Sequence, residues 1–175
     1  MEIKQPASHL DQMIRQTRAH HVSLSLMADN KANMMLTIAA LMIPLSINYL
    51  YDERSHLAAV LLIGFCVLTI LFAAMATMPK IKTGKKLSSS MDFNDRSFNL
   101  LFFGSFTRMR YRDYKKAMET VMNDPNDVYE TQIREIYYMG KYLARKKYRL
   151  IRFSYMTFIT GVLTSSIVFI IASYI

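Results

Sequence analysis

The stretch Leu57–Met78 reads LAAVLLIGFCVLTILFAAMATM and contains no Lys, Arg, Asp or Glu. An α-helix rises about 1.5 Å per residue, so about 20 apolar residues cross a hydrocarbon core about 30 Å thick. Two further uncharged stretches, Asn33–Tyr51 and Phe153–Ile175, have similar length. The short linker Asp52–His56 favours an antiparallel hairpin of the first two spans. The sequence therefore predicts an all-α integral membrane protein with three transmembrane helices.

Basic residues are concentrated between the second and third spans. Residues 80–152 hold 17 Lys and Arg against 8 Asp and Glu, whereas the rest of the chain has five of each class. Because loops rich in Lys and Arg stay cytoplasmic, we expect this segment and the N-terminus inside and the C-terminus outside. Anionic lipid headgroups explain the pI of about 9.7 at least as well as nucleic acid does, and nucleic acid is not an expected partner.

The residues that usually carry redox, metal or hydrolytic chemistry form no recognisable pattern. Cys66 is the single cysteine and has no partner for a disulfide or a CxxC site. The four histidines lack metal-ligand spacing, and the sequence has no HExxH motif or nucleophile elbow. We therefore predict a protein that is not an enzyme and needs no metal or cofactor. No cleavable signal peptide is predicted, because the first 30 residues are polar and amphipathic.

Capping and turn signals divide the chain into segments. Ser8 followed by Asp11 resembles a capping box, so one helix is predicted from Ser8 into the first span, with a kink at Pro44. Residues 80–90 read as a connector and Tyr111–Asn123 as a helix. The predicted domains are a cytoplasmic N-terminal helix (1–32), a transmembrane hairpin (33–78), a basic helical cytoplasmic domain (79–152) and a C-terminal transmembrane helix (153–175).

A second long helix is predicted in the C-terminal half. Asp127 with Glu130 forms another capping-box pattern, after a turn at Asn123–Asn126. Since no Pro follows, the helix should run from Val128 into the last span. The apolar stretch Phe98–Phe106 is too short to cross a membrane, so it is either buried or lies in the membrane interface.

Four short motifs, in a fixed order relative to the three spans, are similar to those of a known family. They are Asp29–Ala32 (DNKA), Asn99–Gly104 (NLLFFG), the helix around Tyr114, and Ile136–Tyr148 (IYYMGKYLARKKY). The chain resembles, from about Leu10 to the last span, the transmembrane effector family of bacterial Pycsar (pyrimidine cyclase) defence systems, known as PycTM.

The resemblance implies an anti-phage effector in the bacterial inner membrane. Such an effector would sense a cyclic pyrimidine mononucleotide, cUMP or cCMP, made by a partner cyclase. Its activation, through rearrangement of a homo-oligomer, would impair the membrane and arrest growth. Some relatives carry an added HD phosphodiesterase domain, but this chain has no HD-type metal cluster, so no enzymatic role is implied.

A site for such a ligand needs a cation for the phosphate, polar groups for the base edge and an aromatic face. The cytoplasmic segments are rich in these groups, but they contain no Gly-rich phosphate loop, so any pocket should be helical. The candidate ligand-binding residues are Asp29, Lys31, Phe103, Arg108, Tyr137, Lys141 and Arg145.

Two features at the inner membrane edge have both a structural and a ligand-binding interpretation. Asp29 could pair with Lys141 or Arg145 as a helix-to-helix salt bridge, with Lys31 snorkelling to the interface, or these residues could sense the ligand. A basic collar precedes the last span and either anchors it through anionic lipid or binds phosphate. The collar comprises Arg145, Lys146, Lys147, Arg149 and Arg152.

Small and hydroxyl residues recur on one stripe of the last span, including Thr157, Gly161 and Thr164. Such stripes usually mediate close helix packing in lipid, and the alternative is that this one lines a pore in an activated oligomer. Gly140, inside a predicted helix, and Gly104 indicate close packing or space for a ligand.

A second class of function remains open on the sequence alone. The chain could be a non-enzymatic membrane scaffold or adaptor, whose basic cytoplasmic part recruits a soluble partner or anionic lipid. Growth arrest that depends on the cyclase would favour the effector, and a stable partner without nucleotide would favour the adaptor.

Overall fold

The computed structural model describes residues 3, 7–78 and 99–174, and these ranges are helical without a β-strand. The elements are α1 (Ser8–Ile47), a short 3-10 turn (Asn48–Leu50), α2 (His56–Thr77), α3 (Phe103–Phe106), α4 (Tyr111–Asn123), α5 (Pro125–Tyr142), a π-helical segment (Leu143–Tyr148) and α6 (Arg149–Tyr174). The predicted all-α fold is confirmed. The predicted connector, residues 80–90, lies outside the described residues.

Three helices are long and apolar enough to cross a membrane, namely Ser8–Leu50, His56–Thr77 and Pro125–Tyr174. Each contains one predicted span. Large apolar side chains of these helices are exposed, such as Leu45 at 65% and Leu163 at 58%. Water would penalise so much exposed hydrocarbon, whereas lipid would not, so the exposure agrees with a membrane-spanning role.

The described residues belong to two compact units. Unit 1 draws on Met1–Val22 and Pro79–Lys141, and unit 2 on Ser23–Met78 and Tyr142–Ile175. Helix α1 and the continuous helix Pro125–Tyr174 each contribute residues to both units. These units are defined by packing within the chain rather than by a membrane surface, so the predicted domain boundaries at 32 and 152 stay predictions.

Unit 2 is built from close helix packing. Its core cluster contains Ala28 and Ala32 of α1, Ala73 and Ala76 of α2, and Ile151 of α6. Alanine lets helix backbones approach closely, which is the usual basis of helix association in lipid.

The hairpin tip between α1 and α2 is closed by local hydrogen bonds. The Ser55 hydroxyl donates to the Asp52 carboxylate at 2.7 Å, and this bond lowers the pKa of Asp52. His56 Nδ1 lies 2.7 Å from the Leu50 carbonyl oxygen. The acidic tip is therefore an ordered turn, which fixes where the first helix ends and the second begins.

Unit 1 joins the start of α1 to α5 through long-range polar contacts. The Tyr129 hydroxyl donates to Asp11 at 2.8 Å, and Arg18 pairs with Glu135 at 3.1 Å. The backbone N–H of Ile3 donates to the Asn126 side chain at 2.8 Å.

Both predicted capping boxes are wrong in detail. The Ala7 carbonyl accepts the first backbone bonds of α1, so Ser8 is already inside the helix, and Asp11 accepts the Tyr129 hydroxyl instead. The second long helix begins at Pro125 rather than Val128, because proline suits the first position of a helix. Asp127 then lies within the first turn. Otherwise the continuous helix into the last span is confirmed.

Candidate functional site

The candidate site is a buried cluster in unit 2, which we call the Lys147 cluster and define as Lys147, Ser25 and Asp29. Lys147 Nζ donates to Asp29 Oδ2 at 2.7 Å and to Ser25 Oγ at 2.8 Å, with the Ser25 carbonyl oxygen at 3.4 Å. An ammonium group has three N–H donors, so these three acceptors match its capacity. Lys147 is only 8% exposed.

The electrostatics of this cluster make it sensitive to change. Burying an ammonium is costly unless it is paired and hydrogen-bonded, and removing one partner leaves the other uncompensated. The Asp29 side chain keeps 35% of its surface exposed, against 10% for Lys147. Removing the Asp29 carboxylate should therefore destabilise the protein more than removing Lys147. An unpaired Asp29 can regain water, whereas an unpaired Lys147 stays buried.

The cluster coincides with the π-helical segment Leu143–Tyr148. A π-turn is rare, and it appears mostly as a single widened turn at functional sites. The next residue, Tyr148, also reaches across to α1, where its hydroxyl donates to the Leu24 carbonyl oxygen at 3.1 Å. The widened turn thus carries two consecutive side chains that bind α1.

The sequence placed the partner of Asp29 on the correct helix but at the wrong residue. Lys141 and Arg145 were the expected partners, yet both are exposed, and the Lys141 ammonium lies 5.8 Å from the centre of the Tyr137 ring. Lys147 was assigned to the lipid-anchoring collar. No Gly or Pro within LARKKY signals the π-turn, and nothing in these six residues indicates that this lysine is turned inward.

The remaining collar residues agree with the anchoring interpretation. Arg145, Lys146, Arg149 and Arg152 are exposed, and the Arg149 guanidinium lies 5.6 Å from the centre of the Phe153 ring. Exposed basic side chains next to an apolar span can reach anionic headgroups.

The predicted ligand-binding residues divide between the two units. Asp29, Lys31 and Arg145 belong to unit 2, while Phe103, Arg108, Tyr137 and Lys141 belong to unit 1. Within unit 1 the structure brings Tyr137 and Lys141 together on one face of α5. Lys31 is exposed and is not a member of the Lys147 cluster. Ligand binding by these residues stays a prediction.

The predicted stripe of the last span packs partly against α2. The buried Ser154 hydroxyl donates to the Thr69 carbonyl oxygen at 3.2 Å, and a Cβ at Gly161 would overlap the Phe65 side chain. Thr157 and Thr164 are half-buried, and the Thr164 hydroxyl bonds to carbonyls of its own helix. Close packing is thus present within one chain, and the pore-lining role stays a prediction.

Unit 1 holds a second tight contact. A Cβ at Gly140 would lie 3.2 Å from Cε1 of His21, so this glycine marks close helix packing. Burial raises the pKa of Glu135, and Arg18 opposes that effect. The hydrogen bond to Asp11 raises the pKa of Tyr129. In the part of the chain that the structure describes, no three His, Cys, Asp or Glu side chains form a metal-binding group.

These features define a small helical membrane protein whose site is an ion pair between helices. A family model described as the Pycsar effector protein domain, PycTM, matches residues 12–173. The chain therefore belongs to the PycTM family, as the motifs predicted, and this membership supports a role as a transmembrane effector of anti-phage defence. No curated protein and no solved structure was found to match the chain.

Proposed function

We propose that this effector senses a cyclic pyrimidine mononucleotide, cUMP or cCMP, and responds by rearranging its oligomer so that the bacterial inner membrane is impaired. The family membership supports the defence role. The observation that carries the mechanism is the Lys147 cluster, in which a buried ammonium joins α1 to the helix that continues into the last span.

A ligand shifts a conformational equilibrium only if it binds one arrangement more tightly than the other. The Lys147 cluster supports a resting arrangement in which α1 is held to the helix of the last span by a buried ion pair. A nucleotide phosphate is itself an acceptor for ammonium and guanidinium groups. Binding that draws the cytoplasmic ends of the helices into a new packing would separate Lys147 from Asp29.

The exposed cations are the candidates for the phosphate, since Lys147 already has its full set of acceptors. Lys31, Lys141 and Arg145 are exposed, and Lys141 lies beside an aromatic ring that could stack on a pyrimidine.

The direct test is calorimetric titration of the detergent-purified protein with cUMP, cCMP, cAMP and cGMP. Saturable binding of one pyrimidine nucleotide is expected, weakened at least about tenfold by Lys31→Ala or Lys141→Ala if that lysine holds the phosphate. Arg54→Ala, at the exposed hairpin tip, removes a charge elsewhere and should leave binding unchanged. If none of the four nucleotides binds, the sensing role fails and the membrane adaptor becomes the better hypothesis.

The membrane step needs a separate test. Co-expression with a pyrimidine cyclase should arrest growth and dissipate the membrane potential. The double variant Thr157→Leu with Thr164→Leu should suppress the growth arrest and the loss of membrane potential if the stripe lines a pore. Gly161 is kept unchanged in this variant, because it packs on α2. Full toxicity and unchanged oligomer size in the double variant would contradict the hypothesis that the stripe lines a pore.

A further inference from the structure

Unit 1 exposes a pair of adjacent aromatic rings. Phe102 and Phe103 are 45% and 52% exposed, with ring centres 5.0 Å apart. They lie near the end of the NLLFFG motif. Leu100 of the same motif is buried, with only 7% of its surface exposed. Two neighbouring phenylalanines left in water are unfavourable, so this pair is a candidate contact surface.

The pair is held in place rather than carried by a loose loop. A Cβ at Gly104 would lie 2.5 Å from the Phe102 ring, so this ring is folded over the buried glycine. The Phe106 ring packs on Tyr114 with 5.1 Å between centres, which fastens α3 to the start of α4. The segment that carries the phenylalanine pair is therefore joined to α4 by a packed aromatic contact.

The outward face of α4 is basic and aromatic. Its inward face carries the buried Ala117 and its half-buried neighbours one turn away, whereas the residues on the opposite face are exposed. Residues 99–123 contain five basic and two acidic side chains. The exposed residues of this helix include Tyr111, Arg112, Lys115, Lys116 and Met122, with Glu119 as the one acidic member.

We propose that this surface, formed by Phe102, Phe103 and the exposed face of α4, docks into the headgroup region of an anionic bilayer. Aromatic rings favour the membrane interface, and Lys and Arg are attracted to anionic headgroups. The three apolar helices hold the chain at a bilayer, so lipid meets this surface at a far higher effective concentration than a soluble partner. The contact is additional to the spans and does not depend on a nucleotide.

The chain contains no tryptophan, so a single introduced Trp reports on its own surroundings. The experiment places Phe103→Trp in the full-length protein, reconstituted in vesicles of anionic phosphatidylglycerol or zwitterionic phosphatidylcholine, each with brominated acyl chains. Quenching at least about twofold stronger in the anionic vesicles is expected, with a blue-shifted emission. Met13→Trp, at a 57% exposed position on α1 with no Lys or Arg three or four positions away, is the matched control and should not show this difference.

Two further variants keep the result decisive. Tyr111→Trp, at a 79% exposed position where substitution disturbs no packing, should also be quenched if Phe103→Trp fails to fold. Adding Lys115→Glu and Lys116→Glu should abolish the preference for anionic lipid. Emission quenched by aqueous iodide but not by brominated lipid would overturn the proposal. Emission shielded from both quenchers would also overturn it, because protein would then cover the rings. Equal quenching of the Met13→Trp control would also overturn it.

Discussion

Neighbouring lysines of one helix have opposite surroundings. Lys146 is exposed, whereas Lys147 is buried and triply hydrogen-bonded. One residue step turns a helix by about 100°, so the direction of a side chain depends on a register that composition does not reveal. Four of the five predicted collar residues are exposed, Lys147 is not, and the anchoring role of the collar stays a prediction. The sequence could not predict which member faces α1, because that depends on the tertiary contacts with Ser25 and Asp29.

Breaking the ion pair should measurably destabilise the protein. Lys147→Ala is expected to lower the free energy of unfolding by about 2 kcal/mol, since a buried charge-assisted contact is lost while Asp29 can partly rehydrate. Equilibrium unfolding in detergent checks this. Lys146→Ala, on the exposed side, should change stability by less than about 0.5 kcal/mol. Equal effects of the two variants would contradict the assigned burial.

Glu135 should make stability fall as the pH rises. Burial raises its pKa above the ordinary value of 4.5, so the folded chain holds this proton where the unfolded chain has released it. Its stabilising contribution is complete below about pH 4 and is lost as the pH rises through the folded pKa. Thermal melts from pH 4 to 7 should show wild type losing stability relative to Glu135→Gln. Glu119→Gln, an exposed control, should follow wild type.

At the scale of the elements, the absence of Gly and Pro correctly predicted helix continuity into the last span. The π-segment could not be predicted, because LARKKY is an ordinary helix-forming sequence and only the tertiary contacts of Lys147 and Tyr148 distinguish it. The predicted start of this helix, at Val128, is wrong. The capping pattern at Asp127 predicts a later start, but the helix begins at Pro125, whose fixed φ suits the first helical position.

Removing the extra residue of the π-turn should be tolerated. Deletion of the exposed Ala144 would convert the widened turn to an α-turn and keep Lys147 in register with α6. The melting temperature should change by only a few degrees. Deletion of the exposed Ile159 inside α6 should cost far more, since it rotates the rest of that helix by about 100° against α2. A greater loss from the Ala144 deletion would contradict the π-turn as the site of the extra residue.

Two glycines offer a matched test of the packing between α2 and α6. Gly161→Ala should destabilise the protein by about 1–3 kcal/mol, because its Cβ would overlap Phe65. Gly64→Ala meets no atom within 4 Å and should be neutral or slightly stabilising, since alanine is the better helix former. Thermal unfolding in the same detergent compares them. Similar behaviour of both variants would argue against this helix contact.

At the scale of the whole molecule, hydropathy predicted the three spans and the all-α fold. It could not predict how unit 1 is held together. The contacts of Asp11 with Tyr129 and of Arg18 with Glu135 join residues more than a hundred positions apart, and no local pattern encodes such a pairing. Of the candidate site, the sequence predicted Asp29 and the helix that carries its partner. It did not predict that the partner is Lys147.

The charge distribution predicts that the two chain ends lie on opposite sides of the membrane. Cys66→Ser removes the single cysteine, and a cysteine can then be introduced at the exposed Ser8 or Tyr174. A membrane-impermeant maleimide should label Tyr174→Cys in intact spheroplasts, and Ser8→Cys only after lysis. The reverse pattern would show that the basic segment faces outward.

The ion pair also ties completion of the fold to completion of synthesis. Asp29 and Lys147 are separated by 118 positions. At about 5–20 residues per second, a ribosome needs on the order of ten seconds between making the acid and making its base. Throughout that interval the nascent first helix carries a carboxylate without its counterion. A chain that stops before Lys147 never acquires that counterion, and the core also needs Ile151 of α6, so translation must pass both positions before the finished core can exist.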